Sequence, residues 1–102
     1  MTWVIDSMQP QGTKVHIVGH VDGDARPSTI VKTKSGVLRA LQRMDDPQAY
    51  DVVVRRHGLD DSDYQTFTEI GKRWGRSKQR VHQVYNRAMK HLARQLFKGV
   101  GQ

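Results

Sequence analysis

Hydrophobic residues recur at helical spacing in the C-terminal third of the chain. Phe67, Ile70 and Trp74 lie three and four residues apart, which predicts one buried stripe on a short helix. A longer helix is predicted by a second series at the same spacing, which consists of Val81, Val84, Ala88, Leu92 and Leu96. Between the two series, Gly75 suits the left-handed conformation in which many helices end. The pattern therefore predicts a helix-turn-helix.

Polar residues mark the start of each helix in this motif. Thr66 and Glu69 stand three residues apart, which is the spacing of a capping box. Ser77 precedes the second apolar series and can cap the second helix. Both helices of the motif therefore have a local start signal as well as an apolar stripe.

Two further helices are predicted upstream of the motif. Ser35 can cap the first, whose apolar positions are Val37, Leu38, Leu41 and Met44. Asp45-Asp46-Pro47 ends this helix and begins the next, since proline is tolerated in a first helical turn. The second helix carries the stripe Tyr50, Val53, Val54 and His57. Gly58 is predicted to close it, and the acidic run over residues 60–63 links it to the motif.

The first 33 residues alternate at the spacing of β-strands instead. Residues 13–21 place Val15 and Ile17 on one side, and residues 29–33 form a second β-prone run. Asp22-Gly23-Asp24 between them has turn chemistry, so a β-hairpin is predicted over residues 13–33. Residues 1–12 fit either a strand or an arm.

These elements predict a mainly α fold in a single chain of 102 residues. A helix-turn-helix domain is expected over residues 34–98, preceded over residues 1–33 by a β-prone arm or hairpin. Residues 99–102 are expected to form a frayed tail. The whole segment FKGVGQ after Leu96 is expected to have little to bury.

Positive charge is concentrated on the predicted motif. The net charge of the chain is +7. Residues 66–102 by themselves carry a charge of +8, with nine Lys or Arg against Glu69 alone. Residues 1–33 contribute 0 and residues 34–65 contribute −1. A basic block that coincides with a helix-turn-helix indicates a polyanionic partner, and double-stranded DNA is the partner expected. An acidic membrane surface fits less well, because the apolar stripe is needed for the core.

The exposed face of the second helix supplies the chemistry for DNA recognition. Four residues in its first two turns, where recognition helices touch bases, are predicted to read bases: Lys78, Gln79, His82 and Gln83. Lys and Gln pair with guanine and adenine edges in the major groove. Surrounding cations are predicted to contact phosphate: Arg56, Arg73, Arg76, Arg80, Arg87 and Lys90. The alternative is a solvated basic helix in a small bundle.

Other kinds of site find little support. His16, His20, Asp22 and Asp24 lie within nine residues and suggest a metal site. On one strand the two histidines would be about 13 Å apart at 3.3 Å per residue, too far to share an ion. We therefore predict no metal and no cofactor, and the absence of catalytic arrangements predicts no enzymatic activity. The lack of cysteine, of a leader and of a membrane-length apolar run fits a bacterial cytoplasm.

The run from residue 48 to residue 93 resembles region 4 of the bacterial sigma-70 family. The family pattern of Arg, aromatic, Gly and aliphatic appears here as Arg56-His57-Gly58-Leu59. The pattern Thr-aliphatic-x-Glu-aliphatic-Gly appears as Thr66-Phe67-Thr68-Glu69-Ile70-Gly71. The turn into the second helix appears as Lys78-Gln79-Arg80-Val81-His82-Gln83, and a later run as Ala88-Met89-Lys90-His91-Leu92. The match needs no gap and covers nearly half of the chain.

The resemblance implies roles for residues of the second helix. Lys78, Gln79 and Gln83 occupy the positions that read the −35 promoter element in sigma factors. Arg80 and His82 sit where the family places arginines near DNA. The departures from the family pattern are His57, Arg76, Gln79 and His82. DNA binding is therefore implied more firmly than a preference for the consensus −35 sequence.

The resemblance also implies a protein partner. Region 4 in the family binds the flap of the RNA polymerase β subunit, so bacterial RNA polymerase is expected beside DNA. Nothing in the sequence resembles sigma region 2, which favours a free-standing regulator similar to phage or prophage late-gene regulators and antiterminators.

Two functions stay open from the sequence. One is a sequence-specific transcription regulator that docks a recognition helix, residues 77–96, in the major groove at a promoter. The other is an RNA polymerase-binding adaptor, such as an antiterminator or a polymerase-appropriation factor, that acts mainly through the β flap.

Overall fold

The structure, a computed structural model, describes residues 2–99 of the chain. In this range three strands precede four helices: β1 Trp3–Gln11, β2 Lys14–Val21, β3 Ser28–Thr33, α1 Lys34–Gln42, α2 Pro47–His57, α3 Phe67–Trp74 and α4 Lys78–Leu96. Residues 100–102 of the predicted tail lie outside the described residues. Among residues 2–99, none of the helices combines the length and the apolar character that a membrane span requires.

The strands form one antiparallel sheet in the order β1, β2, β3. β2 pairs with β3 with His16 opposite Val31 near its centre, which confirms the predicted hairpin. Residues 3–11, for which strand and arm were both open, pair with β2 as a full strand. One face of the sheet is apolar and closed from solvent, since Val15 and Ile17 are fully buried.

α4 is the helix on which the rest of the molecule packs. α1, α2 and α3 contact it, and β1 contacts it from the sheet. Its predicted apolar stripe is confirmed, because every member is buried: Val81, Val84, Ala88, Leu92 and Leu96. The buried residues of the sheet and of the helices belong to one hydrophobic core.

The start of α1 differs from the prediction. Thr33, the last residue of β3, caps the helix, and its Oγ1 accepts a hydrogen bond from the Gly36 N–H at 3.0 Å. The prediction that Ser35 is the cap is wrong, because the chain passes from strand to helix without a loop. Ser35 consequently lies inside the first helical turn.

The segment that follows α4 also differs from the prediction. Phe97 is only 1% exposed, so the expectation that residues after Leu96 have little to bury is wrong for this residue. Its ring stacks on Trp3 with centroids 4.5 Å apart and an interplanar angle of 13°. Gly19 provides the space, because a Cβ there would lie 2.7 Å from Phe97 Cζ. The stack ties the first strand to the end of the last helix.

We expect Phe97→Ala to lower the free energy of unfolding by about 3–5 kcal/mol, since it removes a buried ring and leaves a cavity. Urea unfolding followed by far-UV circular dichroism measures this loss. Lys98→Ala is the matched control, because Lys98 is the exposed neighbour, and its effect should stay within about 0.5 kcal/mol. Equal stability of the two variants would mean that Phe97 is not a core residue.

Candidate nucleic-acid interface

The turn between α3 and α4 is built by the residues predicted to form it. Thr66 Oγ1 accepts from the Glu69 N–H at 3.1 Å, and the Glu69 carboxylate accepts from the Thr66 N–H at 3.1 Å. The hydrogen bond from the Thr66 backbone holds the pKa of Glu69 below its usual range. Gly75 ends α3 in the left-handed region at φ 66°, and Ser77 Oγ accepts from the Arg80 N–H at 3.2 Å. These contacts confirm the helix-turn-helix.

Gly71 lets the turn pass close to α3. The Arg76 N–H donates to the Gly71 carbonyl at 3.0 Å, which folds the turn back onto the helix. A Cβ on Gly71 would lie 2.8 Å from the Arg76 carbonyl oxygen and 3.5 Å from Val81 Cγ2. A backbone oxygen cannot swing aside as a long side chain can. The relative position of α3 and α4 therefore depends on the missing side chain at this residue.

α4 turns its polar face to solvent. The four residues predicted to read bases are all exposed and together line one concavity of the surface: Lys78, Gln79, His82 and Gln83. Asn86 is exposed on the next turn. The structure thus brings the predicted base-reading side chains together at the N-terminal end of the helix.

Aromatic rings underlie this polar face. The Phe67 ring contacts His82 edge-on and Tyr85 at a tilt, with ring centroids 5.0 Å apart in both cases. The Tyr85 hydroxyl and His57 Nε2 form a hydrogen bond of 2.9 Å, which joins α4 to α2. Sequence reasoning missed this group of rings. The available signal was the three-residue spacing of His82 and Tyr85, which places both rings on neighbouring turns of one helix.

The cations predicted to contact phosphate fall into two groups. Within residues 2–99, the first group is exposed and forms no salt bridge: Arg73, Arg76, Arg80 and Lys90. In the second group, Arg87 donates to the Asp46 carboxylate at 2.8 Å, which ties α4 to the start of α2. Arg56 lies 5.2 Å from the centroid of the Phe67 ring, a cation–π contact. The last two cations are already engaged by the protein.

His57 is a partly buried titratable side chain in the group of rings beneath the polar face of α4. Its pKa is lowered from 6.5 to about 4, mainly by burial and secondly by the charge of Arg56, while a backbone hydrogen bond with Met8 partly opposes the shift. Burial also raises the pKa of Tyr85. The two hydrogen-bonded side chains are therefore uncharged at pH 7, and this pair beneath the exposed polar face of α4 carries no charge.

Two of the four residues considered for a metal site, His20 and Asp24, form ion pairs with other residues. His20 Nδ1 lies 2.8 Å from an Asp6 carboxylate oxygen. The Arg26 side chain, hydrogen-bonded to Asp24, lowers the pKa of that carboxyl to about 2. In the part of the chain that the structure describes, no group of three or more His, Cys, Asp or Glu is arranged to hold a metal ion.

Comparison with protein families shows a match of residues 40–94 to the model of the family described as Sigma-70, region 4. The matched segment runs from within α1 to the last turns of α4 and covers just over half of the chain. A curated relative is the RNA polymerase sigma factor SigA2 of Synechococcus elongatus, 35% identical over 75 residues. The alignment covers 72% of this chain and 23% of that protein. No solved structure matches the chain.

Gly71→Ala is expected to destabilise the fold, although alanine normally stabilises a helix over glycine by about 1 kcal/mol. The added Cβ would press on the Arg76 carbonyl, so we expect a net loss of about 1–3 kcal/mol in urea unfolding. Thr68→Ala, at an exposed position of the same helix, is the control and should change stability little. A stabilised Gly71→Ala variant would show that α3 does not approach the turn so closely.

His57 should make the fold less stable in mild acid. Its pKa is 6.5 when unfolded and about 4 when folded, so the unfolded chain binds the proton more readily between these values. Stability is therefore fully present above pH 6.5 and is lost as the pH falls towards 4, by about 2 kcal/mol at pH 5. Urea unfolding at pH 7.5 and pH 5.0 measures the difference.

His57→Gln should lose about 2 kcal/mol less than the wild type between these two pH values, because it removes the titrating group. Tyr85→Phe is the matched control, since it removes the hydrogen bond but keeps the ring, and burial is the main cause of the shift. If His57→Gln and the wild type responded equally to pH, His57 would not be the group responsible.

Proposed function

The chain belongs to the sigma-70 region 4 family of DNA-binding helix-turn-helix domains that act in transcription at promoters. Because it belongs to this family, we propose that it is a sequence-specific transcription regulator. α4 is its recognition helix and enters the major groove. The observation that carries this proposal is the division of α4 into a buried apolar stripe and an exposed polar face. The protein acts in this proposal as a binding module, which agrees with the non-enzymatic character of the family.

The side chains at the start of α4 have the chemistry for base recognition. Lys78 suits the O6 and N7 acceptors of guanine, and the amides of Gln79 and Gln83 suit the N6 and N7 edge of adenine. Gln79 and Gln83 are four residues apart and so lie on adjacent turns of the same face. The helix can therefore address successive base pairs along the groove.

The exposed cations supply phosphate contacts on both sides of these residues in this proposal. Arg76 and Arg80 flank the start of α4, Arg73 extends from the last turn of α3, and Lys90 lies further along α4. Arg87 can join them by exchanging Asp46 for a phosphate. The exchange costs little, because a solvent-exposed ion pair is worth at most about 1 kcal/mol.

RNA polymerase is the second partner that we propose. Region 4 of sigma factors acts with RNA polymerase as well as with DNA, and the relative SigA2 is named as a polymerase sigma factor. The chain covers 23% of that relative, so only the region 4 part of its role is carried over. This proposal has narrower forms: contact with the β flap, late-gene regulation in a phage or prophage, antitermination, and a place in the bacterial cytoplasm. Their support is the resemblance to the family.

Selection of bound duplexes from a random pool at near-physiological salt tests the proposal. We expect a short motif, with base positions that change in Lys78→Ala and Gln83→Ala at a cost of about 1–3 kcal/mol each. Lys90→Ala is the matched comparison. It should weaken binding to all duplexes alike, and it should reduce the slope of log affinity against log salt concentration by the value of about one phosphate contact. The three substitutions lie on exposed positions of one helix, so their stability should be nearly equal.

Two results would count against direct base readout. Retained DNA without any motif would mean that the basic face binds phosphate only, and selectivity would then have to come from RNA polymerase. A motif that survived Gln83→Ala unchanged would mean that α4 is not the recognition helix. If DNA is retained without a motif, a test of binding to purified polymerase core in the absence of DNA shows whether the protein acts as a polymerase adaptor.

A further inference from the structure

The His82 ring is held on three sides before any DNA is bound. Phe67 contacts it edge-on with ring centroids 5.0 Å apart and an interplanar angle of 88°. Tyr85 stacks beside it, with centroids 6.5 Å apart and an angle of 29°. On the third side, the Asn86 amide nitrogen lies 3.3 Å from His82 Nδ1. An exposed histidine is normally mobile, so three contacts on one ring are unusual order for a surface side chain.

The supports of His82 are themselves fixed. Tyr85 packs against Phe67 and is hydrogen-bonded to His57 in α2, at 2.9 Å. Phe67 lies at the start of α3 and is covered by the Arg56 guanidinium. The ring of His82 is thereby oriented by residues of three helices, which is the kind of support that keeps a recognition group in one geometry.

The contact with Asn86 also decides where the His82 proton lies. An amide nitrogen can only donate a hydrogen bond, so His82 Nδ1 must accept it. Neutral imidazole with an unprotonated Nδ1 carries its proton on Nε2. The side chain then offers a single N–H donor beyond the part of the ring that the protein contacts.

We propose that Asn86 is a positioning residue that fixes His82 as the Nε2–H tautomer, and that His82 thereby selects a base with an acceptor on its major-groove edge. This inference rests on the proposed function. Guanine offers two acceptors there, O6 and N7, and suits the donor best. Cytosine offers the N4 amino donor at the same edge and is disfavoured, because two donors face each other.

A different role for Asn86 makes a different prediction. An asparagine free of His82 would read adenine directly through its amide, and its substitution would change preference at its own base pair. In the proposal, Asn86→Ala changes preference at the base pair read by His82. The two roles are therefore separated by the position of the affected base pair.

The tautomer can be measured without DNA. In long-range ¹H–¹⁵N spectra of the free protein at pH 8, we expect the wild type to show His82 protonated on Nε2 alone. In Asn86→Ala we expect a mixture of the two tautomers. A wild type with the proton on Nδ1 would overturn the proposal, because the amide would then be turned the other way. Unchanged tautomer populations in Asn86→Ala would overturn it as well.

The consequence for recognition is measured with a panel of duplexes that vary the selected motif one base pair at a time. His82→Ala should reduce the preference at one base pair by roughly three- to tenfold, the value of one hydrogen bond. Asn86→Ala should reduce it at the same base pair, and the double variant should lose no more than His82→Ala alone. Additive losses, or a change at a second base pair, would refute the positioning role.

Failure of this inference can be told from failure of the proposed function. If the wild type selects no motif, the proposed function is refuted. The tautomer measurement on the free protein does not depend on that result and still tests the role of Asn86. If the wild type selects a motif and His82→Ala selects the same motif, the proposed function is supported and the inference about His82 is refuted. Both substitutions are at exposed positions, and equal urea midpoints exclude a folding defect.

Discussion

Burial of the apolar stripe of α4 is the constraint on which the rest of the structure depends. Three helices and one strand pack against this helix, so its rotation about its own axis is fixed by several neighbours at once. A helix that buries Val81, Val84 and Ala88 must turn the residues between them outward. The same packing that stabilises the fold therefore presents His82 and Gln83 to solvent, so the core residues and the exposed polar residues are two faces of one helix.

The features that could be predicted from the sequence are those encoded by neighbouring residues. The capping box of Thr66 and Glu69, the left-handed end at Gly75 and the cap at Ser77 each depend on contacts within four residues. The stack of Trp3 on Phe97 depends on two residues at opposite ends of the chain, and no local pattern indicates it. Local signals give the boundaries of α3 and α4, whereas partners distant in sequence are decided by the packing of the whole molecule.

The candidate site divides along the same line. Its exposed residues follow from helical spacing, because they are the positions of α4 opposite the buried stripe. The support beneath them does not, since it joins rings from α2, α3 and α4 that are up to 28 residues apart. Arg87 illustrates the difference: the basic face was evident from the charge pattern, but its pairing with Asp46 required the position of α2 against α4.

The contacts between the N-terminal sheet and the helices indicate that the sheet stabilises the helical part of the protein. A bundle of three short helices around α4 has little apolar surface of its own to bury, and small domains are marginally stable. The sheet adds Met8, Val15 and Ile17 to the core that contains the α4 stripe, and the Trp3 ring covers Phe97 after the last helix. The division at residue 33 is therefore one of secondary structure, because a single core continues across it. Because β1 packs against α4, the sheet also helps to fix the orientation of the helix that carries the exposed polar face.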